Sequence, residues 1–422
     1  MMTANSEGGV QGRVESIVKL EEDFLLQNYG RQPVIFHRGK GCTLYDIAGK
    51  RYLDLISGIG VNALGYAHPR ILKVIKEQAG LLVHCSNLYY HEYQGALAQK
   101  LSEISGLQRS FFCNSGAEAM EGGLKMIRSH GNAIRPDKHE IVAVEGSFHG
   151  RTLGAVSITG QEHQRKQFEP LLPGVKFVPH NDAGALEAAV SRNTAGIILE
   201  GIQGEGGVHL TSAEFMRRAR ELADKHNALL LFDEIQCGVG RTGKYFSYQL
   251  QDPEILPDIV TVAKPLACGL PLGVLIANDK AAATLGKGLH GSTFGGGALS
   301  CRVALEFLDI LEEILPSIYQ LSGYFRIKLQ ELTRHYRYIK DVRIYGLMIG
   351  IEMEIEGAGL VQDALENGLL INCTQDKILR FLPPYVMSEQ EVDKAIRILD
   401  RVLKKGRDEF VHSGVADKLI KK

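Results

Sequence analysis

Seven short, uniformly apolar runs in the middle of the chain constrain its fold more than any other feature. Segments with helical spacing of apolar residues separate the runs, which lie at 110–113, 140–145, 175–179, 196–200, 228–234, 258–264 and 273–278. Strands that are apolar on both faces are typical of a parallel sheet that helices cover on both sides. The alternation of strands with helices therefore predicts an α/β fold with a mostly parallel central sheet.

Polar or glycine-rich clusters follow five of these runs. They read NSGAE, GSFHG, EGIQGEGG, DEIQCG and AKPLACG. In open α/β sheets, ligands bind outside the carboxyl ends of the strands. Because the carboxyl ends of parallel strands lie at one edge of the sheet, we expect the five clusters to form one shared site.

The sequence pattern changes after about residue 300. A long helical pattern at 301–335 precedes the strand pattern RIYGLMIGIEME, and Ser388 with Glu391 forms a capping box that starts a final helix. These patterns predict a smaller α+β domain at the C-terminus. The expected division is an N-terminal segment packing with the small domain, a large α/β domain, and the small domain itself, at 1–69, 70–300 and 301–422.

The chain has 422 residues, a formal net charge of −1 and seven scattered cysteines without a CxxC pair. The near-neutral charge gives no overall attraction to nucleic acid or to an anionic membrane. The cysteine spacing favours neither a disulfide framework nor a metal site. No apolar run reaches the roughly 20 residues of a membrane helix, and no signal-peptide core is visible. We expect a soluble cytoplasmic protein without nucleic-acid, membrane or metal partners.

Three features at the strand ends are candidates for chemistry. Asp233 ends a buried strand, where a carboxylate either caps a turn or pairs with a buried cation. Lys264 also ends a strand; such a lysine often reaches solvent, but Pro265 disfavours helical geometry and predicts a strand-to-loop junction. The third feature is a helix that begins at residues 115–117, because a helix N-terminus can bind an anion.

A lysine, a carboxylate and an anion cradle at one sheet edge are what pyridoxal phosphate requires. The lysine forms a Schiff base with the cofactor, the aspartate pairs with the pyridinium nitrogen, and the helix N-terminus holds the phosphate. The charge of Asp233 would keep the ring nitrogen protonated. The ring could then accept electrons when a substrate C–H bond breaks.

Six motifs in order resemble the class III (omega-amino) pyridoxal-phosphate-dependent aminotransferases, a branch of the fold-type I enzymes. The motifs are NSGAEA, FHGRTLGA, EGIQGEGG, LLLFDEIQCGVGRTG, PDIVTVAK and HGSTFGGG, and the resemblance runs from about residue 30 to 405. It implies catalytic roles for Lys264, as the Schiff-base lysine and proton carrier, and for Asp233. It also implies that Gln236 reaches the ring hydroxyl oxygen and that Phe148 stacks on the ring.

The same resemblance implies where the phosphate binds. Ser115, Gly116 and Ala117 would hold it from within the chain. Thr293 would contact the phosphate of a neighbouring subunit, which implies a homodimer with shared active sites.

Substrate choice, by the same resemblance, depends on two arginines and a glutamate. Arg380 would bind the α-carboxylate of glutamate or 2-oxoglutarate, and Arg151 a distal carboxylate, since guanidinium suits bidentate carboxylate binding. Glu205 would mask Arg380 when an omega-amine donor without an α-carboxylate there reacts. Four stretches resemble the family members that transfer the terminal amine of N-acetylornithine to 2-oxoglutarate in arginine synthesis, at 57–69, 86–92, 168–182 and 368–384.

The chain departs from the family pattern at four places near these motifs. Gly201 stands where proline is usual, Met120 where asparagine is usual, and Pro265 where a small residue is usual. Residues 266–268, Leu-Ala-Cys, stand where a glycine-rich run is usual. None of these departures removes a catalytic group. They leave relative activity and donor preference open.

Several alternatives remain beside this reading. Related enzymes are aminomutases, decarboxylases and epimerases, and other donors are succinylornithine, ornithine, 4-aminobutyrate, succinyl-diaminopimelate and a lysine precursor. A non-enzymatic regulator on the same fold is another, although it need not keep Lys264 and Asp233. Residues 238–243 match the glycine-rich pattern of a nucleotide-binding loop, but Tyr245 replaces the Ser or Thr of a P-loop and no helical pattern follows.

Overall fold

The computed structural model describes residues 9–252 and 254–412. Its N-terminal part contains a helix, a small antiparallel sheet and three further helical segments. In chain order these are α1 (Val10–Phe24), β1 (Phe36–Lys40), β2 (Thr43–Asp46), β3 (Arg51–Asp54), the single turn α2 (Ser57–Gly60), α3 (Pro69–Ala79) and α4 (Glu92–Ser105).

The central part alternates strands with helices. Its elements are β4 (Arg109–Cys113), α5 (Gly116–Ile134), β5 (Glu140–Val144), α6 (Leu153–Ser157), α7 (Glu162–Arg165), β6 (Val175–Val178), α8 (Ala183–Ala189), β7 (Thr194–Glu200), β8 (Ile202–Gln203), β9 (His209–Leu210), α9 (Ala213–Lys225), β10 (Leu229–Asp233), α10 (Tyr248–Gln251), β11 (Ile259–Val262), β12 (Gly273–Ala277) and α11 (Asp279–Ala282). Short 3-10 helices lie at Lys166–Phe168 and Lys264–Ala267.

The C-terminal part begins with the longest of the described helices. Its elements are α12 (Ala298–Thr333), β13 (Ile339–Tyr345), β14 (Met348–Met353), α13 (Ala358–Glu366), β15 (Leu369–Leu370), β16 (Asn372–Thr374), β17 (Ile378–Phe381) and α14 (Glu389–His412). The predicted capping box is confirmed, because Glu391 N–H donates to Ser388 Oγ at 3.3 Å and Ser388 N–H donates to Glu391 Oε2 at 2.9 Å.

The central sheet has seven strands in the order β4-β12-β11-β10-β7-β5-β6. Only β12 runs antiparallel to its two neighbours. The seven strands are the seven apolar runs of the sequence, so the predicted, mostly parallel α/β sheet is confirmed.

Helices cover both faces of this sheet. Leu230 and Phe232 of β10 lie in the same buried cluster as Phe215 of α9. Leu229 and Leu231 lie in a second cluster with α5. Because successive side chains of a strand point to opposite faces, both faces of β10 are apolar and buried, as a covered parallel sheet requires.

The N-terminal and C-terminal parts contact each other directly. β3 pairs in parallel with β15, with Leu53 opposite Leu369. The other four C-terminal strands form a separate sheet with the order β13-β14-β17-β16. The division at residues 69 and 300 stays a prediction. In the part of the chain that the structure describes, no helix combines the length and apolar character needed to cross a membrane.

Two local predictions were incomplete. RIYGLMIGIEME forms a hairpin of β13 and β14 that turns at Gly346, where φ is 63°, and not one strand. β11 ends at Val262, two residues earlier than predicted, and Lys264 begins a 3-10 helix where the sequence suggested an extended loop.

Candidate active site

A cavity of about 390 Å³ lies at the carboxyl edge of the central sheet. Residues from all five predicted clusters line it, so the expected single site is confirmed. Gly273 of β12 allows the strands to meet there, because a Cβ at this position would lie 2.2 Å from Ser115 O.

One end of the cavity is the N-terminus of α5. Ser115 Oγ accepts a hydrogen bond from Glu118 N–H at 3.2 Å, and Asn114 N–H donates to Glu118 Oε2 at 2.7 Å. The N–H groups of Gly116 and Ala117 belong to the first turn, where no helical carbonyl accepts from them. Both residues line the cavity, so the site offers backbone donors to an anion such as a phosphate.

A buried carboxylate lies on another wall of the cavity. Asp233 is only 4% exposed, and its Oδ1 accepts from Ile235 N–H at 3.0 Å. His149 Nδ1 lies 2.8 Å from Asp233 Oδ2. Asp233 is therefore more than a turn cap: it is fixed in one orientation by a ring nitrogen and a backbone amide, and it faces the cavity.

The candidate Schiff-base lysine lines the same cavity. Burial lowers the pKa of the Lys264 ammonium, and the nearby Glu205 carboxylate offsets this effect only in part. A lysine with a lowered pKa is more readily available as the neutral amine, which is the nucleophilic and basic form.

A second buried carboxyl group, Glu200, was not singled out in the sequence. It is opposite Asp233 on the neighbouring strand β7. Its oxygens accept from the N–H groups of Phe148 at 3.0 Å and Gly204 at 3.4 Å. Burial, together with the charge of Asp233, raises the pKa of Glu200 well above its ordinary value. Glu200 thus fixes the backbone of the residue that the resemblance places against the cofactor ring.

Arg380 and Glu205 form an ion pair beside the cavity. Arg380, on β17, is 1% exposed, and its Nη1 lies 2.6 Å from Glu205 Oε1. Gln236 joins the two, since its Nε2 donates to Glu205 Oε1 and its Oε1 accepts from Arg380 Nη1, both at 3.1 Å. Burial raises the pKa of the Glu205 carboxyl, but the charge and hydrogen bond of Arg380, together with Lys264 and Gln236, outweigh this, and the net pKa is below the ordinary value.

Three predicted residues do not line the cavity: Arg380, which lies beside it, Arg151 and Thr293. Arg151 is exposed, and its guanidinium carbon lies 5.3 Å from the centre of the Phe148 ring, which does line the cavity. Thr293 is also exposed, on the loop before α12. Their roles therefore stay predictions.

Sequence reasoning also missed several other residues of the cavity wall, among them Ile235 and His149. Ile235 lines the cavity, and a Cβ at Gly116 would lie 2.6 Å from its Cδ1. His149 Nε2 is buried and has no hydrogen-bond partner among the described residues. The only signal in the sequence was adjacency, since His149 follows Phe148 and Ile235 precedes Gln236.

The donor set of the cavity fits pyridoxal phosphate. It combines the uncommitted amides of α5, the buried carboxylate of Asp233 and the amine of Lys264, which suit the phosphate, the pyridinium nitrogen and the aldehyde of that cofactor. The nucleotide-loop alternative does not fit, because the next helix after residues 238–243 is α10, a single turn that begins at Tyr248.

Comparisons with known proteins agree with this geometry. The family model for class-III aminotransferases matches residues 26–403. The acetylornithine aminotransferase of Methanocaldococcus jannaschii is 45% identical over 391 residues, which cover 92% of this chain and 98% of that relative.

Two solved structures are similar over almost the whole chain. N-acetylornithine aminotransferase from Stenotrophomonas maltophilia has a TM-score of 0.79 and 33% identity, covering 92% of this chain and 98% of its own. An ornithine aminotransferase from Toxoplasma gondii, with partial occupancy of PLP at its active site, has a TM-score of 0.88 and 30% identity, covering 96% of this chain and 100% of its own. The chain belongs to the class-III aminotransferases, a family of pyridoxal-phosphate enzymes that exchange an amino group between an amine donor and a keto acid.

Proposed function

We propose that the chain transfers the terminal amino group of N-acetylornithine to 2-oxoglutarate, giving N-acetylglutamate semialdehyde and glutamate. The observation that carries the choice of an omega-amine donor is the ion pair between Arg380 and Glu205, at 2.6 Å. A closed pair suits a donor that places no carboxylate at Arg380, because neither charge is then left buried and unpaired. The acetylornithine aminotransferases among the relatives support acetyl as the acyl group of the donor.

Pyridoxal phosphate, when bound, supplies the electron-accepting ring that the exchange of an amino group needs. The amides of Gly116 and Ala117 would hold its phosphate, and Asp233 would pair with its ring nitrogen. Phe148 and Ile235, which line the cavity, would flank the ring. Lys264 Nζ takes the proton from the amine-bearing carbon of the donor in one half-reaction. In the other half-reaction it gives a proton to the carbonyl carbon of the acceptor.

Arg380 serves the acceptor half-reaction. The side chain of Glu205 moves away, and the guanidinium binds the α-carboxylate of 2-oxoglutarate in bidentate form. Arg151, beside Phe148, binds the distal carboxylate. Donor and acceptor therefore use the same cavity. Arg380 is paired with a carboxylate in both half-reactions, with Glu205 in the first and with the acceptor in the second.

A second copy of the chain completes the proposed site. Asn87 Nδ2 donates to Ser292 O and to Gly295 O, both at 3.0 Å, which joins two loops around Thr293 into one surface. Exposed apolar residues cover these loops: Leu88, Tyr89, Tyr90, Leu289 and Phe294. Patches of this kind mark interaction surfaces. We expect light scattering to show a dimer; a monomer at micromolar concentration would contradict the shared site.

A panel of amine donors tests the proposed substrate. Glutamate formation from 2-oxoglutarate would be measured with N-acetylornithine, succinylornithine, ornithine and 4-aminobutyrate. We expect the highest kcat/KM for N-acetylornithine. A higher value for free ornithine or 4-aminobutyrate would keep the family and replace the donor. The cytoplasmic location stays a prediction.

A further inference from the structure

The loop that carries Glu205 is held at its backbone by the C-terminal sheet. Thr374 Oγ1 donates to Glu205 O at 2.5 Å, and Gln375 Nε2 donates to the same oxygen at 3.0 Å. Arg343 Nη2 donates to Gly207 O at 2.9 Å. Two carbonyl groups of the loop, two residues apart, are therefore fixed by side chains from β13 and from the β16–β17 hairpin.

The side chain of Glu205 is held differently from its backbone. Among the described residues, only Arg380 and Gln236 bind its carboxylate, both through Oε1, and the side chain is 27% exposed. A side chain at the neighbouring Gly204 would displace Gln236, because a Cβ there would lie 2.0 Å from Gln236 Oε1. The backbone path is thus fixed, while the carboxylate can rotate once a competing anion reaches Arg380.

One hairpin holds both ends of Glu205. Thr374 ends β16 and is opposite Ile378 of β17, two residues before Arg380. The hairpin thus contributes a hydroxyl to the carbonyl of Glu205 and a guanidinium to its carboxylate. Any shift of the hairpin moves both contacts together, so the distance between Glu205 and Arg380 is set within a single structural unit.

We propose that Thr374 is a positioning residue for donor choice: its hydroxyl anchors the Glu205 backbone, so that the change between half-reactions is a rotation of the Glu205 side chain alone. This inference rests on the proposed function. Without the hydroxyl, the closed pair is held less firmly. The omega-amine half-reaction, which needs the closed pair, should then lose more than the half-reaction with glutamate, which needs it open.

The test compares Thr374→Val with Thr374→Ser, which restores a hydroxyl, and with Glu205→Ala. Thr333→Val is the matched control, because the one hydrogen bond of the Thr333 hydroxyl in the described part of the chain lies within α12, to Leu329 O. Single-turnover rates of the holoenzyme would be measured with N-acetylornithine and with L-glutamate. We expect Thr374→Val to lower the ratio of the rate constant with N-acetylornithine to that with L-glutamate about threefold to tenfold. This range corresponds to the loss of one hydrogen bond.

Binding of glutarate, a dicarboxylate without an amine, gives a readout that does not depend on turnover. Glutarate must displace Glu205 from Arg380, so Thr374→Val should bind it about threefold to tenfold more tightly in calorimetry. A variant that is merely destabilised would bind it more weakly. Thr374→Ser should behave like the wild type, and Glu205→Ala should bind glutarate most tightly.

The inference is overturned if Thr374→Val matches Thr333→Val in both the rate ratio and glutarate affinity. Failure of the proposed function looks different. In that case the wild type does not react with N-acetylornithine, while the glutarate series still reports whether Thr374 controls access to Arg380.

Discussion

Gly201, which stands where relatives are expected to have proline, has no room for a side chain. A Cβ at this position would lie 2.0 Å from Ser247 Oγ. That hydroxyl donates to Glu234 Oε1 at 2.6 Å, and Ser247 N–H donates to Glu234 Oε2 at 2.9 Å. Glu234 is fully buried and follows Asp233 directly. Gly201→Ala should therefore push the Ser247 side chain away from a buried carboxyl group next to the active site.

The size of the effect follows from two contributions. Over-packing costs about 1–3 kcal/mol and the lost hydrogen bond to Glu234 about 1–3 kcal/mol, so we expect a total of about 2–6 kcal/mol. Unfolding entropy is about 2.1 cal/mol/K per residue, or about 0.9 kcal/mol/K for 422 residues. The midpoint of thermal unfolding should fall by about 2–7 °C.

Differential scanning calorimetry of four proteins tests this reasoning. They are the wild type, Gly201→Ala, Ser247→Ala and the double variant. Gly201→Ala should lower the unfolding free energy less than half as much in the Ser247→Ala background as in the wild type, because the effects of substitutions at contacting residues are not additive. Gly359→Ala is the control, since among the described residues no atom outside its chain neighbours and its own helix backbone lies within 4 Å of the new Cβ. An equal cost of Gly201→Ala in both backgrounds would refute the clash with Ser247.

Three further predictions concern catalysis and pH. Lys264→Ala should abolish transamination in the glutamate-formation assay; near-normal turnover would rule out Lys264 as the reactive amine. Arg380→Ala should slow the 2-oxoglutarate half-reaction more than the donor half-reaction in stopped-flow measurements, and equal losses would contradict its proposed role. Burial raises the pKa of Glu234 from 4.5 to about 7, so the folded protein loses stability as the pH rises from 4.5 to 7. At about 1.4 kcal/mol per pKa unit, the unfolding free energy of Glu234→Gln should fall by about 3 kcal/mol less than that of the wild type over that range. Calorimetry at both ends of the range measures the two declines. Equal declines in the wild type and the variant would show that Glu234 is not responsible.

The central sheet could be predicted because its strands are buried on both faces. β7 shows this most clearly, since all seven residues of Thr194–Glu200 are buried. Burial on both faces leaves a continuous apolar run in the sequence, and the polar residue that ends each run marks the site.

The β13–β14 hairpin could not be predicted in the same way. β13 carries three charged residues, but its apolar end at Ile344 and Tyr345 runs directly into the apolar β14, so the two patterns merge and only Gly346 marks the turn. Its φ of 63° suits glycine, and a Cβ there would lie 2.4 Å from Thr242 Cα. The reason for the glycine is thus a contact with a loop about 100 residues earlier, which the local sequence does not reveal.

The supporting contacts of the site were also beyond the sequence. His149 meets Asp233 across 84 residues, and Thr374 meets Glu205 across 169. Glu200 becomes a neighbour of Asp233 only because β7 pairs with β10. Motif resemblance predicts which residues touch the cofactor or substrate, whereas strand pairing decides which side chains hold those residues in place.

The absorbance spectrum of the purified protein tests the central claim most directly. We expect a band of the cofactor bound through Lys264 that disappears when N-acetylornithine is added and returns with 2-oxoglutarate. This result would establish cofactor, donor and acceptor in one sample. The absence of any such band after addition of pyridoxal phosphate would contradict the roles of Lys264 and Asp233, and a band that only another omega-amine removes would contradict the proposed donor.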